Sequence, residues 1–324
     1  MAVRLARAFT AKPKIIRFKH HFHVWHDHMT SGYASHFDGS PTPGVLPGVA
    51  GGLLLAEQND AEGLAKLLAA NDDVAAAIIE PTGAHGAQLP INPRFLTELR
   101  ELTRHHGVLL IFDEVVTGFR VSPGGAQAEY GITPDLTTLA KILAGGLPGG
   151  AVTGRKDILD LLDFGVTKTA DREKITHQGT FNANPLSAAA GVAALEIVAM
   201  TDACAVANRY ADTMRRRINE VFEEERVPWA AYGLFSNFHI FTNPDHRAIV
   251  PTRFDPLDQP AETLFGKAQA GLVHKFRLAT MVGGVDFSGS PGGVTSATHG
   301  EAELEDTVTA VRNAVHMLKQ EGEL

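Results

Sequence analysis

The chain has 324 residues, 44% of them hydrophobic and 20% charged, with a formal net charge of -8. That length holds one large domain or two modest ones in a soluble globular protein. The acidic excess, without a basic-aromatic stripe, excludes bulk nucleic-acid binding; no apolar run reaches the ~18–20 residues that span a bilayer; and a lone cysteine, Cys204, excludes an internal disulfide and suits the cytoplasm.

The opening MAVRLARAFTAKPK has no apolar core stretch, so no secretory signal is expected; it reads as the edge of a helix. Five short apolar runs then read as buried strands: Lys14–Phe18, Val74–Glu80, Val108–Asp113, Leu136–Ala140 and Gly150–Gly154. Helical stretches alternate with them. Ala61–Ala70 is one, and Pro93–His106 is another, with Phe95, Leu96, Leu99 and Leu102 on one side. Such alternation predicts a mainly parallel sheet covered on both faces. Asn184-Pro185 reads as an N-cap followed by proline at the first helical position, opening an Ala-rich helix to about Met200. Beyond it the character changes. A charged helix over Ala203–Arg226 precedes a half-buried strand at Gly233–Thr242, and Thr298 and Glu301 have capping-box spacing ahead of a final helix striped by Leu304, Val308, Val311, Val315 and Leu318. This organisation predicts a large α/β domain over 1–200 and a smaller α+β domain over 201–324. Two Gly/Pro-rich stretches, Ser31–Gly52 and Gly283–Gly293, read either as site walls or as ordinary surface loops.

Two segments carry candidate chemistry. In IFDEVVTGFR an apolar strand ends in Asp113, and ligands of open α/β sheets bind beyond the carboxyl ends of strands. Val115, two residues on, shares its side if the chain stays extended. An acid and a branched apolar side chain suit a flat cationic ring; taken alone, Asp113 reads equally as a cap on the next turn. In LTTLAKILAGGLPGG, Lys141 follows a strand and precedes a glycine-rich turn. A lysine in a dry, electropositive pocket becomes a nucleophile; taken alone, Lys141 reads as a solvated strand-end residue.

Together, an Asp at one strand end and a Lys at the next resemble class III aminotransferases. The resemblance extends to RLARAFTAKPKIIRFKHHFH, AAIIEPTGAHG and HQGTFNANPLSAAAG in the same order. It is nearest to the glutamate-1-semialdehyde 2,1-aminomutase-like subgroup, with the segment that normally precedes Met1 missing. It implies the pyridoxal-phosphate transferase fold type I: a mostly parallel central sheet with a smaller C-terminal lobe. The implied function is a transaminase moving an amino group between an amine or amino acid donor and a keto acid or aldehyde acceptor, with pyridoxal 5'-phosphate held by Lys141 as a Schiff base. The resemblance further implies that Asp113 pairs with the pyridinium nitrogen, Val115 packs on one ring face and Phe22 stacks on the other. His85 stands near the ring hydroxyl. Among the clustered histidines His21 reads as lining or flanking the cofactor pocket, and Glu80 as shaping a strand end at its edge. Thr180 reaches the phosphate across a homodimer interface. Apart from the resemblance, Trp25 reads either as facing substrate or as packing in the core.

Two departures and two rivals accompany this reading. The absent upstream loop removes phosphate donors, and Ser288–Gly293 carries no acid where the aminomutases do, which favours a transaminase over an aminomutase. The histidines at 20, 21, 23, 26 and 28 raise a metal-dependent hydrolase as a reading of another class, although no metal is expected. A non-catalytic, shortened relative is the other alternative. Arg120 reads as a turn contact and Cys204 as an inert helix residue.

Overall fold

The chain, seen in a computed structural model that describes residues 1–265, 269–288 and 291–324, divides into two units. One comprises Met1–His85 with Ile91–Met200; the other comprises Gly86–Pro90 with Thr201–Leu324.

In the first unit the apolar runs form a six-stranded sheet. Its strands are β1 (Lys14–Phe18), β2 (Leu53–Ala56), β3 (Val74–Ile79), β4 (Leu109–Glu114), β5 (Leu136–Ala140) and β6 (Gly150–Gly154), in the order β2-β1-β3-β4-β5-β6. The first five run parallel and β6 is antiparallel to β5. Every residue of β3 and β4 is buried, which is why β3 and the first four residues of β4, ahead of Asp113 and Glu114, read as Val, Ile, Leu, Ala and Phe rather than as an alternation. The two faces still divide by parity. Ile15, Ile78 and Ile111 pack with Leu5 and Ala6 of α1 (Ala2–Thr10). Ile16, Ala77 and Leu110 pack with Leu64 of α2 (Ala61–Ala69) and with Phe95 and Leu99 of α3 (Pro93–His105). Sequence periodicity missed β2: four residues behind a glycine pair are too short to show a period.

The helix α4 (Pro185–Met200) opens as expected, with Asn184 Oδ1 accepting from Leu186 N at 2.9 Å. It presses on the turn after β5 through two glycines. A Cβ at Gly145 would lie 2.2 Å from the Ala190 carbonyl oxygen, and one at Gly191 would lie 2.5 Å from that of Leu143. Only glycine permits this backbone-to-backbone approach.

The second unit combines α5 (Ala203–Glu224), α6 (Ala270–Val282) and α7 (Glu301–Gln320) with a three-stranded antiparallel sheet of β7 (Ala230–Tyr232), β8 (Asn237–Phe241) and β9 (Gly292–Val294). Its core joins Ile218 and Phe222 of α5, Trp229, Phe276 of α6, Phe287 and the stripe Leu304, Val308, Val311, Val315 and Leu318 of α7. The Gly86–Pro90 segment belongs here because Tyr232 Oη donates to the Gln88 carbonyl at 2.9 Å.

Two local expectations change. The strand read at Gly233–Thr242 is shorter, because Gly233 (φ 148) opens a turn between β7 and β8 in which a Cβ would meet the Asn237 carbonyl oxygen at 2.5 Å. The α7 cap is not the Thr298/Glu301 pair. Glu303 accepts from the Gly300 N–H at 2.7 Å, while Thr298 Oγ1 bonds Ser296. Residues 289 and 290 of the Ser288–Gly293 stretch lie outside the described residues.

Candidate functional site

The parallel strands bring their carboxyl ends to one edge, and the residues singled out in the sequence emerge there. The segment after β1 supplies His21, Phe22 and His23. Glu80 directly follows β3, Asp113 is the penultimate residue of β4 and Lys141 directly follows β5. This is where ligand sites form in open α/β sheets, because successive strand ends place side chains from distant sequence within reach of one another.

Asp113 is the centre. It is buried and paired in register with Thr138 of β5, whose hydroxyl donates to Oδ1 at 2.9 Å. The Val115 N–H donates to the same oxygen at 3.2 Å, and His23 Nδ1 lies 2.6 Å from Oδ2. The strand ends at Glu114, so Val115 begins a turn; Asp113 therefore caps that turn as well as facing the site. Burial alone would raise the carboxyl pKa. Hydrogen bonding from His23, reinforced by Val115 N–H and Thr138, overcomes this and holds it below the ordinary aspartate value. The neighbouring Glu114 has a structural part, accepting from Thr117 Oγ1 at 3.0 Å, Ala126 N at 2.6 Å and Gln127 N at 3.2 Å.

His23 belongs to the site and was not singled out for it in the sequence, where it was one of five clustered histidines. Its partner lies 90 residues away along the chain, so spacing carries no trace of the contact. The usable signal was parity: two residues from His21 on an extended segment, it turns to the same side. His23 Nε2 is buried with no hydrogen-bond partner among the described residues. Burial lowers the His23 pKa, Asp113 opposes that shift and Arg17 adds to it.

His21 is fully buried and both its nitrogens are engaged within the protein. Nδ1 accepts from the Glu80 N–H at 3.0 Å, which leaves Nε2–H to donate to Gln58 Oε1 at 2.9 Å. Its pKa lies well below the ordinary value, chiefly because burial penalises the cation. His21 thus ties the ends of β1 and β3 together. Arg17, also fully buried, donates to the carbonyls of Met29 and His21, and burial pushes its pKa down to about 10. Glu80 Oε1 accepts from the Phe22 N–H at 2.6 Å, fixing the backbone that carries the aromatic ring.

Phe22 is 46% exposed and lies 5.0 Å from Tyr33, which lies 5.3 Å from His85 (ring centroids). These rings give the site an aromatic wall. Lys141 stands at φ 52, a left-handed conformation that costs a non-glycine residue on the order of 1–3 kcal/mol. Although Lys141 is an exposed residue, partial burial lowers its pKa; Asp113 and then Glu80 oppose the shift, and Arg120 adds to it. The amine and both carboxylates therefore share one electrostatic environment. Arg120 Nε donates to the Val116 carbonyl at 3.0 Å, a turn contact.

The structure does not gather every singled-out residue. Trp25 is 81% exposed, and Thr180 is exposed on the turn ahead of α4. Among the described residues the clustered histidines form no group of three or more placed to hold a metal ion: His21 and His23 have the partners just given, and His28 Nδ1 lies 3.2 Å from Arg7. Cys204 is buried within α5.

A doubly covered parallel sheet, closed by one antiparallel strand and carrying an acid and a lysine on adjacent strand ends, defines an α/β enzyme scaffold with its site at the strands' carboxyl edge. Residues 1–253 match the family model for class-III aminotransferases, and the chain belongs to that family. Glutamate-1-semialdehyde 2,1-aminomutase of Methanosarcina acetivorans is 41% identical over 245 residues, 74% of this chain and 56% of that protein. An omega-transaminase from Sphaerobacter thermophilus superposes with a TM-score of 0.83 at 31% identity, covering 98% of this chain and 71% of that one. A beta-phenylalanine aminotransferase from Variovorax paradoxus superposes with a TM-score of 0.77 at 26% identity, covering 100% of this chain and 68% of that one. The chain spans about half the length of the curated relatives it matches.

Proposed function

We propose that this chain is a pyridoxal-phosphate-dependent transaminase that moves an amino group from an amine or amino acid to a keto acid or aldehyde. The observation that carries the reading is Asp113: a buried carboxylate kept ionised by donors on both oxygens, beside a lysine whose amine is partly desolvated. A buried anion with that much support needs a cationic counterpart, and a protonated pyridine nitrogen supplies one. The exposed face of Phe22 suits a flat ring. These residues fit pyridoxal phosphate, with Asp113 at the ring nitrogen, Phe22 and Val115 at the ring faces, and Lys141 at the aldehyde carbon. Glu80, His21 and His85 support the pocket, Trp25 is assigned to the substrate side, and Thr180 to the phosphate of a partner copy. Once bound, the cofactor supplies an electron sink for the carbanion left when a proton leaves the amine-bearing carbon.

The protein's own contribution is electrostatic and proton-handling. Asp113 keeps a negative charge against the ring nitrogen, so the sink stays protonated and strong. The lowered pKa of Lys141 raises its neutral fraction near physiological pH, giving an amine able to attack a carbonyl and later to accept a proton. The left-handed turn and the glycines behind it hold the backbone from which that amine projects.

The proposed homodimer draws support from α4. Its exposed surface is almost wholly apolar, with Leu186 69% and Met200 84% exposed, and Val192 and Ile197 also open. An apolar helix face of this kind is a protein interface when it is not a liability. We place the enzyme in the cytoplasm on its single cysteine; no single helix among the described residues is long and apolar enough to cross a membrane. We also propose residues 1–200 as the cofactor domain and 201–324 as the smaller domain.

The test is titration of the purified chain with pyridoxal phosphate. Wild type is expected to acquire a visible absorbance band and to exchange amino groups with a panel of amine donors and keto acids, whereas Lys141→Ala loses both. A Lys141→Ala protein that kept the band and the exchange would end the reading. A second reading, an intramolecular aminomutase, is favoured by the 41% identity to a curated aminomutase. Glutamate-1-semialdehyde rearranged without any external acceptor would establish it over the transaminase.

A further inference from the structure

We propose that Arg17 is a positioning residue for the aromatic wall of the site: with Glu80 it grips the His21–Phe22 peptide unit from opposite ends, and that unit carries the Phe22 ring. The Arg17 guanidinium donates to the His21 carbonyl, and Glu80 Oε1 accepts from the Phe22 N–H at 2.6 Å. That carbonyl and that N–H are the two ends of one planar peptide. A cation at its oxygen and an anion at its N–H both lie along the peptide dipole, so each contact is charge-assisted and strengthens the other. The Glu80 backbone N–H adds a further hold by donating to His21 Nδ1 at 3.0 Å.

The sheet itself does not call for a charge at position 17. Arg17 is paired in register with Leu55 of β2 and Ile78 of β3, is fully buried, and leaves Nε without a hydrogen-bond partner among the described residues. A hydrocarbon side chain would fill that place without the cost of burying a cation. Burial lowers the Arg17 pKa to about 10 and Glu80 opposes the shift, so the guanidinium is charged at neutral pH with Glu80 as its compensating anion. Its other arm donates to the Met29 carbonyl. One side chain thus pins residues 21–29 at both ends. Between the pins stands Val24 at φ 71. A β-branched residue in the left-handed region is an outlier that persists only where its surroundings over-determine it. The Val24 side chain is exposed, so the constraint comes from its neighbours: His23 tied to Asp113, and the two carbonyls held by Arg17.

The consequence for ligand binding rests on the reading of the site as a pyridoxal-phosphate pocket, whereas the grip on the peptide does not, and two measurements separate them. The first is residue-resolved hydrogen exchange on the ligand-free chain. Arg17→Met keeps an unbranched stem and removes the charge. It is expected to speed exchange of the Phe22 N–H by about tenfold or more, the loss of a charge-assisted contact, and to leave the Ile78 amide of β3 unchanged. Arg17→Lys keeps the charge but holds one carbonyl at a time, and should show the same acceleration in smaller degree. Exchange at Phe22 as slow as wild type in either variant overturns the proposal. So does equal acceleration at Phe22 and Ile78, which reports a global loss of stability. The second measurement is titration with pyridoxal phosphate. Arg17→Met should weaken binding by about tenfold. Arg17→Met combined with Glu80→Gln should bind no more weakly than the worse single variant, because both act through one peptide. Wild-type affinity in Arg17→Met, or losses that add in the double variant, overturn the positioning role. Failure of wild type itself to bind the cofactor overturns the functional reading, and the exchange measurement still decides the grip.

Discussion

The two units bury different things. In the first, the carboxyl ends of the strands enclose Arg17, His21, His23, Asp113 and Glu114, ionisable groups that are each buried. In the second, the core cluster is aromatic and aliphatic, with Phe222, Trp229, Phe276 and Phe287 in contact, and charge stays outside in pairs such as Arg217 with Glu305 and Arg312 with Glu224. Buried charge is a poor source of stability and a good source of a fixed electric field, whereas an apolar core is the reverse. The difference teaches that the first unit is organised around a buried charged site and the second around its own cohesion.

Three substitutions or conditions test that contrast. The largest effect should come from emptying the second core. Phe276→Ala, at a fully buried ring, is expected to cost about 3–5 kcal/mol in denaturant unfolding. Loss under 1 kcal/mol would mean that the cluster is not the source of cohesion. In the first unit, Asp113→Asn should act mainly on the reaction. Losing a carboxylate that three donors hold ionised is expected to cost about 1–3 kcal/mol of unfolding stability, less than the emptied core, while lowering turnover roughly 10²–10³-fold, the scale of one preorganised electrostatic contact. A mutant that unfolds readily but retains turnover when folded would show Asp113 to be a structural residue.

The smallest effect is graded by pH. His21 and His23 have folded pKa values below the ordinary value, so the unfolded chain binds more protons once pH falls beneath about 6.5. Their contribution is fully present above that pH and is lost on acidification, by on the order of 1 kcal/mol per pH unit for each histidine. Thermal melts between neutral and mildly acid pH should show this slope, and His21→Gln should reduce it. A flat profile would show that neither ring is held neutral.

Much of this was legible beforehand, and the exceptions have physical causes. β3 and β4 were visible because strands covered on both faces must be continuously apolar, and α7 was visible because its stripe follows the helical period. β2 escaped because Leu53–Ala56 is too short to offer a period. Asp113 and Lys141 were singled out by the likeness of their two motifs, taken together, to the class III family; position at a strand end was not enough for either alone, and the structure shows both at adjacent strand ends. His23 and Thr138 were not, because their value lies in contacts across strands, to which local sequence is blind. His21 lies at the same strand edge, but its engagement with Gln58 and the Glu80 N–H is a tertiary fact that no local pattern shows.

The glycine contacts between α4 and the turn beyond β5 have a mechanical consequence. With the Ala190 carbonyl seated where a side chain at position 145 would be, the helix acts as the backstop of the turn that presents Lys141. Any side chain added at position 145 or 191 would force the two backbones apart, so the helix and the turn that presents Lys141 can keep this contact only while both positions stay bare.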